Sequence, residues 1–283
     1  MRRTAGERGD AALWDVATPA RSRQVTGVTM AGFRDLGRTP AGLRLIPHPA
    51  VTLALVFGAG SISVVDAAGR QHRGSLVAGL GFGSVRVQRM ENVECLQVRL
   101  SPVIARTVLG ASPADLHGAV VALDDLWGRE ASRIAEQLAD ASDWEDRFAI
   151  ADAVIARRRE TGPPVDPEVA WAWNRIVVSR GRARVERLAA EIGWSRKRLW
   201  SRFHSQSGLP PKRAAKLVRF DHAAHRLVAG YDAARVAADG GYTDQSHLHR
   251  DVVAFTGVTP ATLPGEPFLA IDDIAWPSHE KGM

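Results

Sequence analysis

Two short stretches of the chain carry side chains suited to reading another polymer. Arg196, Lys197, Trp200 and Ser201 lie on one, and Gln245, Ser246, His249 and Arg250 on the other. An arginine guanidinium donates two parallel hydrogen bonds to guanine, and a glutamine amide pairs with adenine, so this is the chemistry of base readout in a DNA major groove. Four further cations, Lys212, Arg213, Lys216 and Arg219, lie between the stretches and are candidates for contacts to the phosphate backbone.

Other chemistries fit less well. The nine histidines prompt a search for a metal site, and His247 and His249 form a ligand pair on paper. On a helix, positions i and i+2 diverge by about 200°, so the two cannot share one ion. His48, His72 and His117 stand in separate segments without a local carboxylate pattern. The single cysteine, Cys95, excludes an internal disulfide framework and any multi-cysteine zinc site, and its apolar surroundings suit a buried structural thiol. No glycine-rich phosphate loop or nucleophile elbow appears. The expectation is a protein that is not an enzyme and uses no metal or cofactor.

The elements that must position the two stretches repeat. In the first copy Ala189 precedes Gly193 by four residues, followed by Trp194, Leu199, Gly208 and Pro211. In the second, Ala237 precedes Gly241 by four, followed by Tyr242, Leu248, Gly257 and Pro260. Val185, Leu188, Ala189 and Ile192 predict a short helix with one buried stripe, Gly193 a tight turn, and Ser195 a cap for the next helix. With Leu199 and Phe203 inward on that helix, Lys197, Ser201 and His204 point outward and Arg196 and Trp200 flank them. The second copy predicts a turn at Gly240-Gly241, a cap at Asp244 and a helix through Phe255. Ser246 and Arg250 then point outward, with Gln245 and His249 on the flanks. A longer helix, about 212–229, sets the spacing between the two units.

The net charge is +6, and its distribution favours an anionic partner for the C-terminal part. Between Asp166 and Leu263 there are 16 Lys and Arg against 9 Asp and Glu, whereas residues 1–165 have 20 against 18. No run approaches the roughly 18 apolar residues needed to cross a bilayer, and the charged start, Met1 to Asp10, is unlike a secretory signal. A cytoplasmic protein without membrane contact is expected. Short β-branched runs over about 43–100, separated by glycine-rich turns, predict a compact antiparallel β unit, and helical spacing follows from 102 to 160. The prolines of 161–166 mark a linker, with Asp166 and Pro167 expected to cap and begin the next helix. The fold class is therefore α+β, a β domain with helices over 1–160 and an all-α domain over 167–263. The tail, 264–283, is assigned no function.

The stretches 187–211, RLAAEIGWSRKRLWSRFHSQSGLPP, and 241–260, GYTDQSHLHRDVVAFTGVTP, resemble the AraC/XylS family of transcription regulators. The resemblance spans roughly 167–263. It implies two helix-turn-helix units joined by a long helix, with both recognition helices entering successive major-groove segments on one face of double-stranded DNA. It places Arg196, Lys197, Trp200 and Ser201 on first-helix contact positions and Gln245, Ser246, His249 and Arg250 on second-helix ones. The sequence departs from the family at Trp200-Ser201, where an arginine or glutamine pair is usual, and at Val252, where an aromatic is usual. By a weaker likeness, residues 43–160 resemble the cupin-like sensory half of actinobacterial members, and 1–160 is expected to be a sensory and dimerisation domain. RNA polymerase, a small-molecule effector and a second copy of the chain are then further partners. The competing class is a small-molecule-binding cupin-like protein whose basic helical half mediates protein contacts.

Overall fold

In the computed structural model of the protein, residues 2–4, 13–20, 26–37, 42–81 and 83–276 are described. Of the charged start, only Arg2–Thr4 is among them, and the last seven residues of the tail lie outside. The N-terminal part is built on strands β1 (Arg2–Thr4), β2 (Trp14–Ala17), β3 (Val28–Asp35), β4 (Arg44–Leu45), β5 (Val51–Phe57), β6 (Ser61–Val65), β7 (Gln71–Arg73), β8 (Leu76–Ala78), β9 (Val85–Glu91), β10 (Glu94–Leu100) and β11 (Val120–Ala122). They form two antiparallel sheets, one ordered β1-β2-β3-β10-β5-β8-β11 and the other β4-β9-β6-β7.

The β core begins well before residue 43, where the sequence placed it. Strand β3 pairs with β10 along its length, from Arg34 opposite Glu94 to Val28 opposite Leu100. The strand is inconspicuous in sequence because it is covered on both faces, which removes the polar alternation, and because it contains Ala31 and Gly32 instead of β-branched residues. Gly32 is needed because the Trp144 indole lies directly on its Cα, where a Cβ would collide with the ring.

Helices α1 (Pro102–Leu109), α2 (Leu123–Trp127), α3 (Arg129–Asp140) and α4 (Trp144–Thr161) follow the predicted helical spacing, but β11 interrupts it, pairing with β8 where the sequence placed only helices. Their buried faces, including Val108, Ile134, Phe148 and Ile155, share a core with Leu53, Leu96, Val98 and Leu100 of the large sheet. The opposite face of that sheet, with Cys95 and Gln97, looks into the space between the sheets, where a cavity of about 120 Å³ remains. Burial pushes the Cys95 thiol up to about 12.

The all-α part contains α5 (Pro167–Val178), α6 (Val185–Glu191), α7 (Arg196–Ser207), α8 (Pro211–Val228), α9 (Ala233–Asp239) and α10 (Gln245–Thr256). Asp166 occupies the N-cap position of α5, but its side chain does not cap the helix. It accepts two hydrogen bonds from Arg202, each 2.7 Å, because a guanidinium fork offers two charge-assisted bonds where one backbone amide offers a single neutral one. The Arg202 hydrogen bond holds the Asp166 carboxyl below its ordinary range.

The segment after Thr262, assigned no function from sequence, is ordered. A 3-10 turn, Leu263–Gly265, leads into α11 (Pro267–Ala275), which packs against α8 and β2. Leu269, Ile271, Ala275 and Trp276 are buried there. Among the described residues, no helix is long and apolar enough to cross a membrane.

Candidate nucleic-acid interface

The two repeats have the same backbone geometry. At the end of α6, Gly193 has φ +68°, and the N–H of Trp194 donates to the carbonyl of Ala189 at 2.9 Å. At the end of α9, Gly241 has φ +72°, and the N–H of Tyr242 donates to the carbonyl of Ala237 at 3.0 Å. Both are helix ends closed by a left-handed residue, a conformation glycine adopts without a Cβ penalty. The second helices begin alike. The N–H of Arg198 donates to Ser195 Oγ at 3.2 Å, and that of His247 to Asp244 Oδ1 at 2.7 Å. Ser195 and Asp244 therefore cap as the sequence predicts.

The repeat extends into features not apparent from composition. Near the end of α7, Ser207 Oγ donates to the carbonyl of Phe203 at 2.8 Å, and near the end of α10, Thr256 Oγ1 donates to that of Val252 at 2.7 Å. Both hydroxyl residues are buried, and each stands directly before a left-handed glycine, Gly208 or Gly257. Extending the leucine alignment to these positions would have revealed the pair.

Inward residues anchor both recognition helices. Leu199, Phe203, Leu248 and Val252 are fully buried, and Phe255 stacks on Phe220 of α8 with ring centroids 4.2 Å apart. Val252 thus fills a core position, and the aromatic contact to the linking helix comes from Phe255.

The predicted readers stand outward. Arg196, Lys197, Trp200 and Ser201 on α7 are exposed, as are Gln245, Ser246, His249 and Arg250 on α10. Trp200, 51% exposed, lies beside His204 of its own helix, with ring centroids 5.1 Å apart. Arg196 is 3.7 Å from Glu186, an exposed ion pair that contributes little and yields readily to another anion. Arg250 Nε donates at 3.3 Å to the carbonyl of Ser246, one turn back.

The four cations of α8 divide into two pairs. Lys212 and Arg213, in its first turn, are exposed. Lys216 and Arg219 turn toward Asp251 of α10, at 3.0 Å and 3.5 Å, and the Asp251 side chain is only 6% exposed. Arg219 also lies over the Tyr242 ring, 4.6 Å from its centroid. Burial of that phenol pushes its pKa up to about 12. The Asp251 cluster joins the second recognition helix to the linking helix, a role that charge on a helix face does not disclose by itself.

The histidines considered as ligands are dispersed. His48 bonds Thr52, His72 bonds Asp66, and His117 bonds the carbonyl of Leu80. Among the described residues, no group of three metal-ligating side chains comes together.

Residues 188–264 match the family of the helix-turn-helix domain. No curated protein matches the chain. Among solved structures, ToxT from Vibrio cholerae O395 is similar over 86% of this chain and 98% of that one, with 10% identity and a TM-score of 0.48. The C-terminal domain of AraT, a response regulator from Geobacillus stearothermophilus, is similar over 36% of this chain and 88% of that one, with 20% identity and a TM-score of 0.34. The AraC-like transcriptional activator CuxR is similar over 83% of this chain and 90% of that one, with 17% identity and a TM-score of 0.25.

Proposed function

Taking the chain as a DNA-binding transcription regulator of the AraC type, with its helix-turn-helix domain at residues 188–264, we propose that it reads two adjacent major-groove segments. The observation that carries this reading is the duplicated turn and cap geometry, with an outward polar face on the second helix of each copy. Units placed this way reach successive segments roughly 34 Å apart on one face of the duplex. In the second unit Arg250 pairs with guanine and Gln245 with adenine, flanked by Ser246 and His249. In the first, Arg196 and Lys197 contact the duplex, while Trp200 and Ser201 supply apolar and hydroxyl contacts. Lys212 and Arg213 hold phosphates, and Lys216 and Arg219 hold α10 in place through Asp251.

The β domain modulates this grip. Its cavity offers a place for a small, largely apolar effector, and Phe268, from the helix that follows both DNA-binding units, forms part of the cavity wall.

Binding should be measured on a duplex selected from random sequence, across a salt series. Several phosphate contacts predict a steep loss of affinity between about 50 and 200 mM salt. Replacing Arg250 with alanine should cost about 1–3 kcal/mol at one base position and relax preference there. If Arg250→Ala binds every base variant as the parent does, Arg250 is not a base reader.

A further inference from the structure

We propose that α11 is a tie that keeps the linking helix α8, and with it the second helix-turn-helix unit, in register with the β domain, and that Asp272 is its positioning residue. The proposal rests on the DNA-binding reading for its consequence but not for its geometry.

Asp272 is 3% exposed and accepts hydrogen bonds from both sides of the molecule. The Arg99 guanidinium, from β10, donates through Nη1 at 3.3 Å and also through Nη2. His225 Nε2, from α8, donates to the same carboxylate at 3.3 Å. The other ring nitrogen of His225 bonds the carbonyl of Asp221 at 2.8 Å, which fixes the orientation of the imidazole. The Trp276 ring lies against the Arg99 guanidinium, 4.3 Å away, in a cluster with Trp14 and Phe33 of the large sheet. One carboxylate therefore links a strand and the DNA-binding part's central helix, although neither is near it in sequence.

The chemistry suits registration better than adhesion. Apolar burial is non-directional and by itself fixes the axial position of a helix such as α11 weakly. A buried carboxylate engaged by two separately fixed cations satisfies its partners at only one such position, and a misplaced helix would leave buried charge unpaired. His225 and Asp272 also favour each other's charged form. Burial opposes the charge on His225, but its bond to Asp272 and the Asp221 carboxylate outweigh that and raise its pKa to about 10. Arg99 and His225 overcome the burial of Asp272 and hold it well below the ordinary carboxylate range.

The tie does not cover the reading faces, since the outward residues of α7 and α10 are exposed while Asp272 is engaged. Other contacts also brace the DNA-binding units. Helix α1 packs on α7, and Arg44 of β4 donates to the carbonyl of Thr256 at the end of α10. With α11 released, the second unit would lose the brace that runs through α8 and keep the Arg44 contact at its far end. Preorganisation for a two-segment duplex would then fall.

The test uses the full chain, Asp272→Asn, and the double variant Arg99→Met/Asp272→Leu, which guards against a folding defect from an orphaned arginine and leaves a His225 that can lose its proton once the Asp272 carboxylate is gone. Hydrogen exchange of 267–276 and of α8 is measured alongside affinity for the selected duplex. Both variants are expected to exchange at 267–276 about tenfold faster and to bind about three- to tenfold more weakly, with an unchanged salt slope. Unchanged exchange in both would show that Asp272 ties nothing. Faster exchange with parental affinity, or full affinity in the double variant, would refute a positioning role. If the parent chain holds no duplex in a salt-dependent way, the DNA-binding reading fails, and exchange alone still decides whether the tie exists.

Discussion

Replacing Arg219 with methionine separates the two roles available to a cation on α8. The substitution keeps the aliphatic stem of a side chain that is 20% exposed and removes its guanidinium, 3.5 Å from the nearly buried Asp251 carboxylate. Breaking a fully buried pair costs about 3–5 kcal/mol and an exposed one about 0–1 kcal/mol. Here Lys216 remains at 3.0 Å as a second partner for Asp251, which holds the loss to about 1–1.5 kcal/mol, between the two figures. Losing the contact over Tyr242 adds about 0.5–1 kcal/mol. A destabilisation of about 2 kcal/mol follows. With a urea dependence of about 2 kcal/mol per molar, the unfolding midpoint of the DNA-binding part should fall by about 1 M. The salt dependence of duplex binding should not change, because no phosphate contact is lost. Lys212→Ala should do the reverse, lowering the slope by about 0.9 while leaving the midpoint in place. A slope lowered by about 0.9 in Arg219→Met, with an unmoved urea midpoint, would refute the structural role and restore Arg219 as a phosphate contact.

Three further outcomes are expected. Gly193→Ala and Gly241→Ala should each destabilise by about 1–2 kcal/mol in thermal or urea melts, because both glycines are left-handed, and equal stability to the parent would contradict that turn geometry. The His225 contribution to stability should be complete below its unfolded pKa near 6.5 and decline as the pH rises toward about 10. The groups acting on it are Asp221 and His222 on α8 and Asp272 on α11, with Arg99 on β10 and His48 acting on Asp272. Hydrogen exchange of 267–276, corrected for its intrinsic pH dependence, should therefore accelerate over that window in the parent and less in His225→Gln, and identical profiles would exclude the linkage. Cys95, with its thiol at about 12, should resist a thiol reagent at pH 8 in the folded chain and react on unfolding, and prompt labelling of the native protein would contradict its burial.

What the sequence disclosed about the interface was local in origin. A left-handed glycine, a capping Ser195 or Asp244 and an inward Leu199 or Leu248 are each determined within a turn or two of chain, and their repetition made the two units legible. What it withheld depends on partners far away. Lys216 and Arg219 are indistinguishable from solvent-facing cations until Asp251, more than thirty residues later, is brought against them. Asp166 has the residue type and place of a cap, yet Arg202 competes successfully for its carboxylate. Strand β3 was obscured because Gly32 accommodates Trp144, and a packing requirement of that kind weakens the local strand signal. Helix α11 was obscured because Asp272 suggests a soluble tail unless Arg99 and His225 are known to surround it.

The central claim is that two equivalent units hold adjacent segments of one duplex. Hydroxyl-radical footprinting of the full chain on a duplex selected from random sequence tests it most directly. The account predicts two protected backbone segments on one face, about 10 base pairs apart, with Arg250→Ala weakening protection at one of them. A single protected segment that Arg250→Ala leaves intact, or uniform protection without register, would contradict it.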